Sequence, residues 1–192
     1  MVNPLTHEER RKLQDACGAA EARTGARFAL VTVPVSDRYH LYPLVYGGCA
    51  AMAVFAGLAL FWNKLPLREA FFLTAVIAAA VTFLLDWLPL RLKLVPRHAK
   101  SWECRELAHR SFAAHILAQT ERKPGIVLFV SFGERHVEVV TDRDVDLRIP
   151  QSVWDAIIKD FLAGARKGEA AKALLAAVEA CTKVLEEHYP AK

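Results

Sequence analysis

Asp142, Asp144 and Asp146 alternate along a short polar stretch that follows an apolar, β-branched run. Carboxylate oxygens are the ligands a hard cation such as Ca²⁺ takes, and a loop can wrap them around it. A cation held there would polarise a phosphoryl oxygen or lower the pKa of a bound water. Arg143 sits between the first two carboxylates, and a guanidinium fork grips a phosphate through paired hydrogen bonds. Asp37, just after an earlier apolar run, is the expected further ligand, because α/β sheets place their sites at strand ends. A second reading stands beside this one. No glycine eases the curvature of the stretch, Arg143 and Arg148 neutralise part of its charge, and it is then a solvated turn with local ion pairs.

Glu134, Arg135 and His136 form another polar group. A histidine beside a carboxylate can do acid–base work, but hairpin turns are also polar simply because they are exposed. His109 and His115 are six residues apart, so they do not share a helix face and form no two-histidine metal motif. The chain has no Gly-x-Ser-x-Gly, His-Glu-x-x-His, phosphate loop or Cys-x-x-Cys. Cys17, Cys49, Cys104 and Cys181 have no paired spacing, which favours free thiols in a reducing compartment over disulfides or a metal knot.

The elements that must position these groups follow from capping and periodicity. Thr6-His7-Glu8-Glu9 has the form of a capping box. Leu13, Ala16, Cys17 and Ala20 continue at helical spacing until Thr24-Gly25. Phe28 to Val33 then reads as a buried strand. Further on, Pro96 to Lys100 reads as a basic linker, and Ser101 as the cap of a helix with Cys104, Leu107, Ala108, Phe112 and Ile116 on one face. Ile126 to Phe132 is a central-strand candidate. A tight turn at Gly133-Glu134 leads into a return strand from Arg135 to Thr141. Asp142 to Ile149 is expected as a polar loop, and two amphipathic helices follow, the first after Pro150 and the second after Gly168. This order implies an α/β fold, a small mixed sheet with helices on its faces.

Two apolar runs interrupt that order, Leu44 to Trp62 and Ala70 to Leu85. A spanning helix needs about 20 mostly apolar residues, because the hydrocarbon core is about 30 Å thick. The segment between the runs, Asn63 to Glu69, is too short for a domain. The economical reading is a transmembrane helical hairpin over residues 44–90, inserted into one discontinuous domain over residues 1–40 and 97–192. Arg27, Arg38, Arg91, Lys93, Arg97, Lys100 and Arg105 lie outside the hairpin, against Lys64 and Arg68 in its connector. By the positive-inside rule both termini and the domain are cytoplasmic, on an inner membrane. Tyr42, Tyr46, Trp62 and Trp87 are placed as interfacial anchors. Gly47/Ala51, Ala53/Gly57 and Ala75/Ala79 would let the helices approach closely, although such residues are common in any membrane helix. Asp86, near the end of the second run, is expected at the interface or paired with Arg91.

The net charge of +4 and pI near 8.9 are mildly basic. The excess sits beside the apolar runs, which suits anionic headgroups rather than nucleic acid. The first residues have neither a basic nor an apolar leader region, so no cleavable signal peptide is expected.

Lys123-Pro124-Gly125-Ile126-Val127-Leu128-Phe129-Val130-Ser131, followed by Glu134 to Arg143, resembles the core hairpin of the TPM-domain family. That family groups thylakoid lumen, photosystem-repair and acetylcholine-receptor-accessory proteins with many bacterial membrane proteins. Leu5-Thr6, Thr24-Gly25-Ala26-Arg27 and Pro150-Gln151-Ser152-Val153-Trp154-Asp155 support the resemblance, which covers residues 5–36 and 101–189. It implies an α/β/α sandwich. It also implies acid phosphatase activity in some members and a divalent cation, notably calcium, near the loop after the hairpin. In many members that loop is rich in glycine, whereas Thr141 to Asp146 contains none. The function expected is a membrane-anchored TPM-like domain that binds a membrane-protein partner or itself, as an accessory or assembly factor. The alternative is a weak metal-assisted phosphatase using Asp37, Asp142, Asp144 and Asp146, with Arg143 on the phosphate.

Overall fold

The computed structural model describes residues 5–36, 39, 41–61, 66–87, 95–119 and 123–191. They fall into two compact units, residues 1–36 with 101–192, and residues 37–100.

In the first unit, α1 (His7–Arg23) opens on the expected capping box. The Glu9 amide donates to Thr6 Oγ1 at 3.3 Å, and the Thr6 amide donates back to the Glu9 carboxylate at 2.7 Å. Strand β1 (Arg27–Val33) runs parallel to β2 (Gly125–Ser131), and β2 runs antiparallel to β3 (His136–Thr141), giving a mixed sheet in the order β1-β2-β3. Every residue of β2 is buried, as a central strand requires. β1 is an edge strand and only Phe28 in it is buried, which corrects the expectation of a buried strand there. Its β-branched run fits an edge as well as a centre, because composition does not report the number of neighbours.

The sheet has a helix layer on each face. Ile126, Leu128 and Val130 of β2 share a core with Leu13 and Ala20 of α1, Trp154 and Phe161 of α6 (Gln151–Arg166), and Leu174, Val178 and Leu185 of α7 (Ala170–His188). Val127 and Phe129 point the other way, onto Cys104, Ala108 and Phe112 of α4 (Arg97–Phe112) and onto Ile116. The alternation along one strand therefore builds the α/β/α sandwich. At the outer edge of the larger core, Arg23 closes α1 onto α7 through Glu179 at 3.2 Å and Glu186 at 2.6 Å.

Three local expectations are corrected. α4 begins at Arg97, so 97–100 belongs to the helix and Ser101 lies inside it. Pro96 is the start signal, since proline lacks only an amide that a helix start leaves unpaired anyway. The β2–β3 connection is a four-residue turn, Phe132 to Arg135, with Arg135 at φ 54°. The Phe132 and Gly133 amides donate to the Val33 and Pro34 carbonyls at 3.1 and 2.8 Å. Both residues thus stay tied to the last residue of β1 and the proline after it, and leave the hairpin ladder. Finally, Asp142 to Ile149 is not a loop, because Arg143–Arg148 forms helix α5. Asp144 and Asp146 lie in its first turn and Arg148 in its last, each the sign that the helix dipole favours.

The second unit contains α2 (Leu41–Phe61) and α3 (Leu67–Leu85), of 21 and 19 residues. At 1.5 Å per residue each spans about 30 Å, the thickness of a hydrocarbon core. The segments Leu41–Leu58 and Leu67–Leu85 are only 11% and 6% buried. A Cβ added at Gly47 would overlap Thr82 Oγ1, so this is where α2 and α3 come close, whereas Gly57 faces open space. Asp86 caps α3, its amide donating to the Thr82 carbonyl at 2.9 Å. Arg38, Trp62, Lys64, Arg91 and Lys93 lie outside the described residues.

Candidate functional site

Asp142, Asp144 and Asp146 do not point to one place. Asp142 is the N-cap of α5, its carboxylate accepting from the Arg143 amide at 2.6 Å. Asp146 accepts a hydrogen bond from Thr141 Oγ1. At about 100° per residue, Asp142 and Asp146 share a face of the turn while Asp144 points away from both. The Asp144 carbonyl instead accepts from the Tyr189 hydroxyl at 2.9 Å, and Arg148 lies 5.0 Å from the centre of the Tyr189 ring. α5 is strapped to the C-terminal segment by these contacts. Arg143 is exposed. Among the described residues no group of three or more His, Cys, Asp or Glu could hold a metal ion.

Asp37 lies outside the described residues. The Ser36 amide donates to Glu134 Oε1 at 2.9 Å, at the hairpin end of the sheet. Asp142 is at the opposite end, its amide donating to the Gly125 carbonyl at 3.0 Å. The length of β2, about 20 Å at about 3.3 Å per residue, separates the two ends.

The polar residues that do converge are at the hairpin end. There the C-terminal ends of β1 and β2 meet the start of β3 and the flank of α4. Glu134 accepts from both the Ser36 amide and the Ser131 hydroxyl. Ser36 Oγ lies 3.0 Å from Cys104 Sγ. Ser131 and Cys104 are 1% and 0% exposed. Burial pushes the Cys104 thiol up to about 11, and the nearby Glu134 and Glu138 charges add to it against hydrogen bonds from Ser36 and Ser131. At neutral pH this cysteine is a protonated thiol and not a nucleophile. The network is a fastening that fixes the chain after β1 to the hairpin.

A more open pair borders it. His136 Nε2 lies 3.1 Å from Glu138 Oε2, and Arg105 of α4 lies 3.5 Å from Glu138 Oε1. The hydrogen bond from His136 holds the Glu138 carboxyl below its ordinary range despite partial burial, helped by the charges of His136, Arg105 and His109. A histidine–carboxylate pair is present here as the sequence suggested, but the carboxylate is Glu138. Glu134 is turned inward, and Arg135 is exposed on the turn. Sequence reasoning missed Ser36, Ser131 and Cys104. A serine at the end of an otherwise apolar strand was the available signal.

None of the curated proteins matches the chain in sequence. Among solved structures, the NMR structure of BA42 protein from the psychrophilic bacterium Bizionia argentinensis is similar over 98% of this chain and 86% of its own, with a TM-score of 0.57 and 13% identity. At that identity the likeness is one of fold. Residues 91–184 match the family model described as TPM domain, a stretch that runs from before α4 into α7 and holds β2, β3 and their turn. This match, on the sandwich described above, places residues 91–184 in the TPM-domain family.

Proposed function

We propose that this TPM domain is anchored in a membrane by α2 and α3 and works there by binding, as an accessory or assembly factor for a membrane-protein partner or for a second copy. The observation that carries the reading is the exposure of the two helices. Met52, Phe71, Phe83 and Leu84 are 75%, 64%, 86% and 63% exposed. An apolar surface of this extent is costly in water and favourable in lipid. The hairpin end of the sheet supports a binding role, since its buried thiol is protonated and its carboxylate Glu134 is engaged by serines. The excess of Arg27, Arg38, Arg91, Lys93, Arg97, Lys100 and Arg105 over Lys64 and Arg68 of the connector favours an inner membrane with both termini cytoplasmic.

The test is affinity capture of the full chain from detergent-solubilised membranes, with the hairpin intact. A reproducible membrane-protein partner, or self-association, is the expected result. Capture of neither, repeated across detergents, overturns the binding role. Release of the chain by alkaline carbonate overturns the anchor. Protease cleavage at Lys123 or Arg143 only from the extracytoplasmic side reverses the orientation. Turnover of a phosphate ester that requires Ca²⁺ and is lost in Asp142→Ala and Asp144→Ala replaces this reading with the phosphatase.

A further inference from the structure

The two outer strands of the sheet, β1 and β3, are finished differently. Along β1 the amides of Phe28 and Leu30 face away from β2, and α1 covers both. The Phe28 amide donates to Glu21 Oε1 at 3.3 Å, and the Leu30 amide donates to the Cys17 sulfur. β3 has no such cover. The Asp142 amide donates to the carbonyl of Gly125, which lies opposite it, so Val140, Glu138 and His136 also bond inward to β2 in the antiparallel ladder. Val137, Val139 and Thr141 turn their N–H and C=O groups outward. Among the described residues those groups have no hydrogen-bond partner. β3 also lacks the proline, lysine or bulge that commonly guards a sheet edge. α5 leaves the edge clear, because it turns across the end of the sheet towards β1. Its Asp144 carbonyl accepts from Tyr189, and the next residue, Pro190, bridges Thr24 just before β1.

A strand added outside β3 would lie between two unlike walls. On one face stands α6, whose Trp154 and Phe161 share a core with Val139. Gly164 of α6 faces Ala173 of α7, and Ile158 and Leu162 lie on the opposite flank, half-buried against the same core. On the other face Arg105 of α4 reaches Glu138 at 3.5 Å, and the charges of His109 and His136 act on the same carboxylate. Exposed Arg135 and Arg143 bracket the strand. The acids nearby are already engaged, Glu134 by the serines, Asp142 as the cap of α5 and Glu138 by His136 and Arg105.

We infer that the outer edge of β3 is a docking site for an extended segment of a partner protein in which apolar residues alternate with acidic ones. Residues opposite Val137, Val139 and Thr141 would share their face, the apolar side of α6, and the residues between them would face the cations of the α4 side. Main-chain pairing supplies affinity and the two walls supply selectivity. The inference rests on the binding role proposed above and adds to it the surface and the chemistry of the partner. A second copy fits this edge less well. Two paired β3 strands would lie about 4.8 Å apart, whereas the two α6 helices packed on them need about 8–10 Å.

The test uses the full chain in detergent micelles and the peptide acetyl-Val-Glu-Val-Glu-Val-Glu-Val-amide, with amide hydrogen exchange read residue by residue by NMR. At a peptide concentration about ten times its Kd, exchange at Val137, Val139 and Thr141 should slow about tenfold, while Thr32 on the opposite edge should not change. The same peptide methylated at its valine nitrogens should give no slowing, and a peptide with lysine for glutamate should bind more weakly. No slowing at the three amides overturns the docking edge, and the binding role is then judged separately by the affinity capture. Equal slowing by the lysine peptide overturns the acidic chemistry, and equal slowing by the methylated peptide overturns main-chain pairing. Slowing that appears without peptide as the protein is concentrated gives the edge to a second copy and overturns the partner segment.

Discussion

Replacing Glu134 by alanine tests whether the inward carboxylate fastens the chain after β1 to the hairpin. The substitution removes the acceptor for two donors, the Ser131 hydroxyl and the Ser36 amide. Ser131 is 1% exposed, so its hydroxyl exchanges a carboxylate for the weak acceptor Cys104 Sγ, at a cost of about 1–3 kcal/mol. Ser36 is only partly buried and its amide rehydrates, which keeps its share below about 1 kcal/mol. The total is about 2–3 kcal/mol, a substantial part of the ~5–15 kcal/mol that holds a domain together. For a unit of this size that lowers the melting temperature by roughly 10 °C. The assay is thermal unfolding of the full chain in detergent, followed by Trp154 fluorescence against a Trp154→Phe control. Glu134→Gln should recover more than half of the loss. Its carbonyl oxygen still accepts from Ser36, and its amide can donate to the Ser131 oxygen. A melt of Glu134→Ala within about 2 °C of the parent would show that the fastening contributes nothing measurable and would refute the reasoning.

Three other outcomes follow from the same structure. With its thiol pushed up to about 11 from 9.0 and its side chain fully buried, Cys104 should alkylate at least about a hundredfold more slowly than a free thiol near pH 8, until urea unfolds the domain; peptide mapping by mass spectrometry reads this. Glu138 has a carboxyl held below its ordinary 4.5, first by the His136 hydrogen bond. Its contribution to stability is therefore present above that value and lost as pH falls through the depressed one, and His136→Ala should flatten the acid limb of a stability–pH curve. In the hairpin, Gly47→Ala should disturb the packing of α2 on α3, because the added Cβ meets Thr82 Oγ1. Thr82→Ala should restore it by removing that oxygen, and monodispersity in detergent by size-exclusion chromatography checks both.

Much of the fold was legible because it rests on local rules. The capping box of α1, the period of α6 and the unbroken apolar run of β2 are each set by neighbours a few residues away. The misreadings were also local in cause. Pro96 and Ser101 both resemble helix starts, and only the proline acts as one. The alternating charges of 142–148 suit an exposed loop, but they equally suit a short helix with acids first and a base last.

The site was less legible, for a geometric reason. Asp142 and Ser36 each follow a strand, and sequence alone does not say whether two strand ends are the same end of a sheet. β1 and β2 are parallel while β3 is antiparallel, so the segment after β3 emerges beside the start of β2, away from Ser36. The same topology assembles Ser36, Cys104, Ser131 and Glu134, which are scattered over the chain and carry no common spacing. The two apolar runs, the basic flank and the family's strand–turn–strand block are properties of contiguous residues, and the sequence by itself determined them. Which carboxylates face each other, which thiol is sealed and which strand lies at the edge are long-range relations. Strand direction and pairing decide them, and those exist only in the tertiary structure.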